Sequence, residues 1–547
     1  MIAYFVMEMG LEEGMPTYSG GLGVLAGDTM YSFADLGISA VGVSLLYKKG
    51  YVQQGITPTG IQLDFEDPWN FRRYLKPLDI YVDVPFGDRL QKVTAWEFRI
   101  EPSVKVFFLD ADIETNDDDV RKLNYRLYYE DGAYRLKQEI LLGIGGYRIL
   151  KALGYDIKYY HLNESHAAFL IVDLLSEFKD IQEVKKRCVF LTHTPLPAGH
   201  DKFPVRMVKE ELKTFKHIDW DKEATGGELN LTHFALKYSG RVGAVSYKHF
   251  FVCKDMFPER EDFEYITNGV YHRRWVHPVM RDAFFEYIPG WEENPVLLSG
   301  AINIPSEIIL RNHFKIKQEL VNFVNKNSDA SFSVDNLTIC VARRVTPYKR
   351  NDLILKDLER LLAIAQSVGE IQLLFSGKAH PKDNPGKEII SNIINVRKSL
   401  KEHTKSLRIA FLENYSIKLS ALLTAGCDVW LNNPRRPLEA CGTSGMKAAL
   451  NGVLNFSTWD GWWLEGGIEG FNGWGIGPKP KWADLSLSDD NEDLKDLYGK
   501  LEYIIVPMYY QKREQWSQMM KNSIATVGVY FNGYRMVKEY ISKLYRG

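Results

Sequence analysis

A single lysine behind a glycine- and serine-rich loop is the residue whose setting most strongly indicates chemistry. Lys447 follows Gly442-Thr443-Ser444-Gly445 and precedes small and aliphatic residues. A lysine in an apolar setting loses its charge readily, as a Schiff base to an aldehyde requires. The loop offers backbone N–H groups and hydroxyls where a helix begins, which favours a bound phosphate. Aldehyde and phosphate together indicate pyridoxal phosphate; the alternative is a capped helix with an ordinary surface lysine.

A basic cluster follows a strand-like apolar run in the segment CVARRVTPYKR. It contains Arg343, Arg344, Lys349 and Arg350. Arginine supplies a bidentate fork and lysine a point charge, so such a cluster can hold dianions. The alternative is a solvated basic turn.

Four further polar or glycine-rich stretches follow strand-like runs or form turns: Tyr18–Gly23, His161–His166, Thr192–Pro195 and Thr267–Val270. The glycines of the first would let backbone amides approach a ligand, although a tight turn explains them equally well. The histidines of the next two do not match a metal motif. They suit hydrogen bonds to sugar hydroxyls, or they are structural histidines. The last stretch reads equally as a plain turn.

Strands that alternate with helices are predicted to position these residues. In the second half the predicted strands are Leu337–Ala342, Ile371–Phe375, Leu407–Leu412 and Asp428–Leu431, and the predicted helices include Pro305–Val324 and Asn351–Gln366. In the first half the predicted strands are Ile2–Met7, Ala40–Tyr47, Tyr159–Leu162 and Val189–Thr192. This alternation predicts parallel sheets that bind ligands at the carboxyl ends of their strands.

The domain organisation predicted is an α/β protein of two Rossmann-like domains with a cleft between them. A chain of 547 residues exceeds one ordinary core. The stretch Pro278–Pro305, rich in proline and glycine, is the predicted crossover. The predicted domains are residues 1–290 and 291–508, followed by helices over 509–547.

Composition excludes several classes of protein. The formal net charge of -2 gives no sign of a nucleic-acid partner. Five cysteines without a CxxC pair argue against a zinc site and a disulfide framework, and fit a reducing cytoplasm. No signal peptide and no apolar run long enough to span a bilayer is recognised, so a cytoplasmic protein without membrane contact is expected.

Nine motifs in order along the chain resemble those of the α-glucan phosphorylases, in the compact style of their bacterial and archaeal branch. They are SGGLGVLAGD, RLKQE, HLNESH, THTPLP, TNGVYHRRW, ARRVTPYKR, SGKAHP, FLENY and EACGTSGMKAALNG. The motifs run from residue 19 to residue 452, and the resemblance as a whole covers roughly residues 2 to 480. Several are weak alone, but their shared order is specific.

The resemblance implies a role for each candidate residue. Pyridoxal phosphate would be bound by Lys447, with Gly442, Thr443, Arg343 and Trp275 near it. The substrate phosphate would be held by Arg344 and Lys349, with the amides of Gly20 and Gly21. The terminal glucose would contact Leu22, His193, Asn268, Glu439, Cys441 and Gly442. The first domain would then carry the glucan side, the second the cofactor, and the terminal helices would pack back on the first.

The implied reaction is phosphorolysis of an α-1,4-glucan such as glycogen or maltodextrin. The cofactor phosphate would act as acid and base, so that inorganic phosphate captures the terminal glucose with retention as α-glucose 1-phosphate. Ser416 departs from the muscle-type pattern, which has an arginine that binds the cofactor phosphate; Lys418 is a candidate replacement. Cys441 and Gly445 stand where that pattern has serine and asparagine.

Three rival functions are weighed. A nucleotide-sugar glucan synthase of the same fold needs no lysine that binds a cofactor, and a non-catalytic glucan-binding protein needs no intact cation cluster. An aminotransferase needs a residue that binds the pyridine nitrogen of the cofactor and an arginine that binds a substrate carboxylate, and neither is identified in the sequence. Family members tend to dimerise, so the resemblance allows a homodimer, and the oligomeric state of this chain stays open. Animal-type phosphorylases carry a long regulatory segment before the SGGLG motif, which begins here at residue 19. The resemblance therefore implies that this segment is missing and that the enzyme is constitutively active.

Overall fold

Two sets of chain segments form separate compact units. A computed structural model describes residues 1–129, 132–401 and 404–546, without the side chain of Ala198. The first unit combines Met1–Val52, Glu66–Ile266 and Met536–Gly547, and the second combines Gln53–Phe65 with Thr267–Arg535. The expected limit at 290/291 therefore lies inside the second unit. The tail from 509 is divided between the two units at 535/536.

The strands and helices of the described residues alternate along much of the chain. The strands are β1 (Ile2–Phe5), β2 (Ala40–Leu45), β3 (Gln53–Ile56), β4 (Gln62–Phe65), β5 (Lys76–Pro77), β6 (Val82–Phe86), β7 (Arg89–Glu101), β8 (Val104–Asp110), β9 (Tyr159–Asn163), β10 (Cys188–Leu191), β11 (Lys202–Pro204), β12 (Glu228–Asn230), β13 (Arg241–Ala244), β14 (Phe263–Tyr265), β15 (Leu337–Ala342), β16 (Ile371–Ser376), β17 (Leu407–Leu412), β18 (Val429–Asn432), β19 (Leu454–Thr458) and β20 (Gly473–Ile476).

The α-helices are α1 (Gly21–Asp35), α2 (Asp118–Arg121), α3 (Ala133–Ile140), α4 (Gly146–Ala152), α5 (Leu170–Phe178), α6 (Ile181–Arg187), α7 (Val205–Glu211), α8 (Trp220–Glu223), α9 (Leu231–Tyr238), α10 (Tyr247–Met256), α11 (His272–Trp275), α12 (Pro278–Tyr287), α13 (Ser306–Asn327), α14 (Leu358–Ser367), α15 (Asn384–Lys401), α16 (Ile417–Gly426), α17 (Ser444–Ala449), α18 (Trp463–Gly466), α19 (Asp490–Lys500), α20 (Val506–Gln511), α21 (Arg513–Ser523) and α22 (Gly533–Glu539). Among the described residues, no helix is both long and apolar enough to cross a bilayer.

The first unit is built on a sheet with the strand order β14-β13-β10-β9-β1-β2-β8-β7-β5, and β6 pairs with β7. The strands from β14 to β8 are parallel. Alternate residues of β1 enter different hydrophobic clusters, Ala3 and Phe5 in one and Ile2 and Tyr4 in the other. Because side chains of a strand alternate between its two faces, both faces of this sheet are covered.

The second unit contains a six-stranded parallel sheet with the order β17-β16-β15-β18-β19-β20. Counted from β15, this is the order 3-2-1-4-5-6 of doubly wound sheets. All four strands predicted in this half are present, because each is a mostly apolar run that is buried almost throughout. The α/β class with parallel sheets is confirmed.

Two stretches differ from the sequence prediction. Pro278–Pro305, the predicted crossover between the halves, lies inside the second unit and contains α12 and the 3₁₀ segment Pro295–Asn303. A proline begins each element, where its missing N–H costs no hydrogen bond. The helix predicted from residue 351 begins only at Leu358, where Asp357 caps it by accepting a hydrogen bond from the Arg360 amide at 3.0 Å.

A buried ion pair joins α13 to the amino ends of two central strands. Lys317 Nζ lies 2.5 Å from Asp428 Oδ2 and 2.8 Å from the Tyr509 hydroxyl, and His313 Nε2 lies 3.0 Å from Asp428 Oδ1. The amide of Thr338 also donates to Asp428 Oδ2, at 2.8 Å. The carboxylate therefore has a partner on every side, as a charge removed from water requires.

Replacement of Asp428 by asparagine should destabilise the second unit strongly. The variant leaves Lys317 buried without its counter-ion, and removal of one partner of a buried pair typically costs about 3–5 kcal/mol. The matched control is Asp329→Asn, because Asp329 is half exposed and pairs with Arg397 and, at 2.6 Å, with Lys401. Each pair to an exposed carboxylate contributes about 0–1 kcal/mol. Urea unfolding measures both variants. Equal losses in the two would contradict this account of Asp428.

Candidate active site

Lys447 is buried against the face of Trp275. Its side chain lies on α17 with 5% of the residue exposed, and Nζ is 3.8 Å from the centroid of the Trp275 ring. Asn451 holds both residues, because its Nδ2 donates to the carbonyls of Trp275 at 2.8 Å and Lys447 at 3.1 Å. The lysine is thus no solvated surface residue, and two residues expected at one site are brought together.

The loop before Lys447 is shaped by close packing. Gly442 has a φ of +75°, which favours glycine. A Cβ on Gly445 would lie 2.3 Å from Asn455 Oδ1, while Asn455 Nδ2 donates to the Gly445 carbonyl at 2.9 Å. This contact requires glycine at 445, where the muscle-type pattern has asparagine. The hydroxyl of Ser444 accepts a hydrogen bond from Trp430 Nε1 at 3.0 Å, and the side chain of Thr443 is half-buried.

A buried carboxylate gathers two cations of the basic cluster. Lys349 Nζ hydrogen-bonds Glu439 Oε2, and Arg343 Nη1 lies 3.6 Å from the same oxygen. Arg343 follows β15 and also donates from Nη2 to Asn432 Oδ1. Its Nη1 is buried without a hydrogen-bond partner among the described residues. That N–H group can serve a ligand acceptor.

The charge of Glu439 is held by its neighbours against burial. Burial alone would raise the pKa of this carboxyl. Lys349 and Arg343, with a smaller effect from Arg344, lower the pKa by more than burial raises it, so the net pKa lies below its usual value. The amide of Glu439 donates to Asp460 Oδ2 at 2.9 Å, which fixes the backbone at this point. Glu439 is therefore an ionised hydrogen-bond acceptor next to two cations.

Arg344 and Arg350 have different environments from Arg343. Arg344 is exposed. Arg350 is 5% exposed and hydrogen-bonds Asp490 at 2.8 Å, Asp493 at 2.7 Å and the backbone of residues 433 and 434. Arg350 thus joins the Lys349 loop to the chain that leads to Glu439. It is not available to hold a dianion, as the sequence pattern had allowed.

Asn268 and Cys441 lie in buried turns of the same unit. Asn268 is 3% exposed, and in the described part of the chain its Oδ1 has no hydrogen-bond partner. Its carbonyl accepts from Arg535 at 3.1 Å, and the neighbouring Thr267 hydroxyl donates to Glu465 at 2.7 Å. Burial raises the pKa of the Cys441 thiol well above its usual value, so this thiol is neutral.

Ser416 serves as a helix cap. Its hydroxyl accepts a hydrogen bond from the Leu419 amide at 3.2 Å at the beginning of α16. Lys418, in the first turn of that helix, is exposed. Substitution of the family's arginine by Lys418 stays a prediction.

In the first unit, Gly20 and Gly21 lie at the beginning of α1. A Cβ on either glycine would meet no atom within 4 Å, so the backbone is open to a close approach. Glu8, directly after β1, accepts hydrogen bonds from the amides of Ser19 at 2.5 Å and Gly20 at 3.2 Å. Burial raises the pKa of Glu8, although these hydrogen bonds oppose the shift. Leu22 is half-buried against the adjoining core.

His193 follows β10 in the first unit. Its amide donates to Glu164 Oε1, which also accepts from the hydroxyls of Thr192 at 3.1 Å and Thr194 at 3.0 Å. Burial and the neighbouring His249 lower the pKa of the imidazole to about 3, so it is neutral near pH 7. Its Nε2 is buried and has no hydrogen-bond partner within the described ranges.

Several residues in or near the quoted motifs have structural roles, and for His161 this was one of the two alternatives that the sequence left open. His161 Nδ1 lies 2.6 Å from the Tyr545 hydroxyl inside the first core, so it is a structural histidine. Glu8, Glu164, Asn451 and Asp460 each fix the backbone of a neighbouring site loop. Glu164 and Asn451 stand inside quoted motifs, so their polar side chains within those motifs could have indicated a role at the site. Nothing in the sequence around Glu8 or Asp460 indicated such a role.

A family model for carbohydrate phosphorylases matches residues 206–466. The maltodextrin phosphorylase of Thermococcus litoralis is 38% identical over all of this chain and 70% of its own length. The glycogen phosphorylase of Aquifex aeolicus is 35% identical over all of this chain and 86% of its own. The chain belongs to the carbohydrate phosphorylase family. Another member, the glycogen phosphorylase of Mycobacterium tuberculosis, is 35% identical over the whole chain and 70% of its own length.

The part of this phosphorylase that matches the family model contains the second-unit site residues from Asn268 to Lys447. Gly20, Gly21, Leu22 and His193 lie outside that match, but the alignments to the three relatives cover the full chain.

The electrostatic environment of Glu439 gives a pH test. Because the pKa of Glu439 is lowered on folding, its charge contributes stability above the unfolded-state pKa, and that contribution is lost as pH falls. The wild-type protein should therefore be more stable than Glu439→Gln near neutral pH. The difference should shrink only once pH falls below about 4.3, the ordinary glutamate value. Denaturant unfolding across this range measures it; a difference independent of pH would argue against an ionised Glu439.

Proposed function

We propose that this protein is an α-1,4-glucan phosphorylase. It would transfer the terminal glucose of glycogen or maltodextrin to inorganic phosphate, with retention, and release α-glucose 1-phosphate. The observation that carries the proposal is the buried Lys447 on the face of Trp275, in the unit that also gathers Arg343 and Lys349 around Glu439. The names of the three relatives support the same reaction.

The residues present fit pyridoxal phosphate as cofactor. Lys447 would hold its aldehyde carbon, Trp275 would pack against it, and Gly442 and Thr443 would lie by its phosphate. Nη1 of Arg343 is buried and has no hydrogen-bond partner among the described residues, so it can donate to a phosphate oxygen. When bound, the cofactor's phosphate group would supply acid–base catalysis.

The chain's own cations would bind and orient the substrate phosphate. Lys349 and Arg344 would bind this dianion, and Arg343 would offset its repulsion from a second phosphate. Glu439 keeps Lys349 in place beforehand, so little reorganisation is needed when the anion arrives. The amides of Gly20 and Gly21 are assigned to the same anion by resemblance. The Gly20 amide could contact it only by releasing Glu8.

Neutral and anionic hydrogen-bonding groups would recognise the glucose. The neutral imidazole of His193 can donate or accept. Asn268 Oδ1, which has no hydrogen-bond partner among the described residues, can accept from a sugar hydroxyl. Glu439 would accept from another hydroxyl, with Cys441 and Gly442 beside it. Leu22 would lie against the ring. The cleft between two Rossmann-like domains, an architecture named GT-B among glycosyltransferases, stays a prediction, and so does a homodimer.

The deciding experiment is release of glucose 1-phosphate from maltodextrin and inorganic phosphate by the purified protein. Phosphate-dependent release, with the absorbance of a lysine-bound pyridoxal, is expected. A nucleotide-sugar glucan synthase would lack that absorbance and would require a nucleotide sugar. A non-catalytic glucan-binding protein would bind maltodextrin without turnover. Either result would refute the proposal.

Lys447→Ala should abolish both cofactor absorbance and phosphorolysis while the protein stays folded. The reason is that alanine removes the only atom group proposed to bond the cofactor covalently. Absorbance spectra, activity and thermal unfolding are compared with those of Lys326→Ala, an exposed lysine of α13. Stoichiometric cofactor attachment in Lys447→Ala would show that another lysine carries it.

Arg344→Ala and Lys349→Ala should each lower phosphorolysis by about 10²–10³-fold, as removal of a preorganised electrostatic group typically does. The loss should appear mainly in the phosphate dependence, with glucan affinity less affected. Initial rates at varied phosphate and at varied maltodextrin separate the two effects. Wild-type phosphate kinetics in both variants would mean that the cluster is a solvated turn.

A further inference from the structure

A hairpin from the first part of the chain belongs to the second unit. Its strands β3 and β4 are antiparallel. The segments directly before and after the hairpin both belong to the first unit. Two of its glutamines are almost fully buried, Gln54 with 2% and Gln62 with 3% exposed. Buried amides require hydrogen-bond partners, and these lie on the loops that follow β16 and β17.

Gln54 and Asn414 bind each other through three hydrogen bonds. The amide of Gln54 donates to Asn414 Oδ1 at 2.6 Å, and Asn414 Nδ2 donates to the Gln54 carbonyl at 2.8 Å. The amide of Asn414 donates to Gln54 Oε1 at 3.1 Å. Asn414 has a φ of +58°, and this exchange holds it in that conformation. The loop after β17 is therefore fixed by the hairpin.

The same two glutamines satisfy the backbone of the loop after β16. Gln54 Nε2 donates to the Gly377 carbonyl at 2.9 Å and to Gln62 Oε1 at 2.9 Å. Gln62 Nε2 donates to the Ala379 carbonyl at 2.9 Å, and the Ala379 amide donates back to Gln62 Oε1 at 3.0 Å. Removal of these side chains would leave buried backbone groups without partners.

The loop that the glutamines hold is in direct contact with Arg343. The amide of Arg343 donates to the Ser376 carbonyl at 3.1 Å, and the amide of Val345 donates to the Lys378 carbonyl at 3.0 Å. A Cβ on Gly377 would lie 2.0 Å from the Arg343 carbonyl. With so little space between the two backbones, a shift of residues 377–379 must also displace residues 343–345.

We propose that Gln54 and Gln62 are positioning residues for the cation loop that begins at Arg343. They fix residues 377–379, and these residues fix the backbone of Arg343 and Arg344. Glutamine suits this task because its amide both donates and accepts, and one buried side chain can therefore join two loops. The inference rests on the proposed function only for the statement that this loop binds phosphate groups.

The chain provides a matched control in the neighbouring glutamine. Gln53 stands next to Gln54 on β3 but is exposed. Gln54→Leu and Gln62→Leu remove the amides, whereas Gln53→Leu makes the same change at the surface. Gln54→Glu keeps the size and the acceptor for Asn414 but loses the donor to Gly377. Thermal unfolding first confirms that each variant is folded.

Hydrogen exchange tests the positioning role without cofactor or substrate. The amides of Arg343 and Val345 should exchange faster in Gln54→Leu, Gln62→Leu and Gln54→Glu than in wild type, and Gln53→Leu should match wild type. Amides of α13, in the same unit, serve as the internal reference. Unchanged exchange at 343–345 in the three buried-site variants would overturn the proposal.

Binding by the apoprotein then separates this inference from the proposed function. Pyridoxal 5′-phosphate should bind the variants at Gln54 and Gln62 about 10–100-fold more weakly than wild type, by analogy with the loss seen when outer-shell partners of metal sites are removed. Pyridoxal, which lacks the phosphate, should bind all proteins equally. Equal weakening of both compounds would indicate a merely structural hairpin. If wild type bound neither compound, the proposed function would fail, and hydrogen exchange would still decide the positioning role.

Discussion

The carboxylate of Glu439 is the counter-charge that allows two cations to be buried side by side in the second unit. Arg343 and Lys349 would repel each other strongly in a medium of low dielectric constant without it. A carboxylate in this position must itself be held. Asp460 binds its backbone, and Arg350 joins the loop of Lys349 to the segment that leads to Glu439. The Lys447 loop follows directly, so its path depends on the same anchor.

The two units present groups of different electrical character. The second unit concentrates fixed charge on a few side chains whose partners come from several loops. The first unit presents a neutral imidazole at His193, whose amide is held by Glu164 from the neighbouring loop, and Glu8 likewise accepts from the amide of Gly20. A group that is neutral near pH 7 suits uncharged hydroxyls, and fixed cations suit phosphate, so the two kinds of recognition are divided between different loops.

Much of the second unit could be predicted from local sequence, since its central strands are continuous apolar runs and its polar motifs follow them. The position of Lys447 beside Trp275 was available only through resemblance to known phosphorylases. Arg350 was misjudged because its partners, Asp490 and Asp493, lie about 140 positions away in sequence. The hairpin at residues 53–65 gave no local sign of its place in the second unit. The contacts that place the hairpin there join residues more than 300 positions apart in sequence.

One hydrophobic core combines residues that are synthesised first with residues that are synthesised much later. Ile2 and Tyr4 share a hydrophobic cluster with Tyr540, Leu544 and Tyr545. At about 5–20 residues per second, a ribosome needs roughly half a minute to two minutes between the first of these residues and the last. During that time the face of β1 that the tail covers has no cover from it. A nascent chain whose segment Tyr540–Tyr545 has not yet left the exit tunnel therefore exposes this face to chaperones or to aggregation.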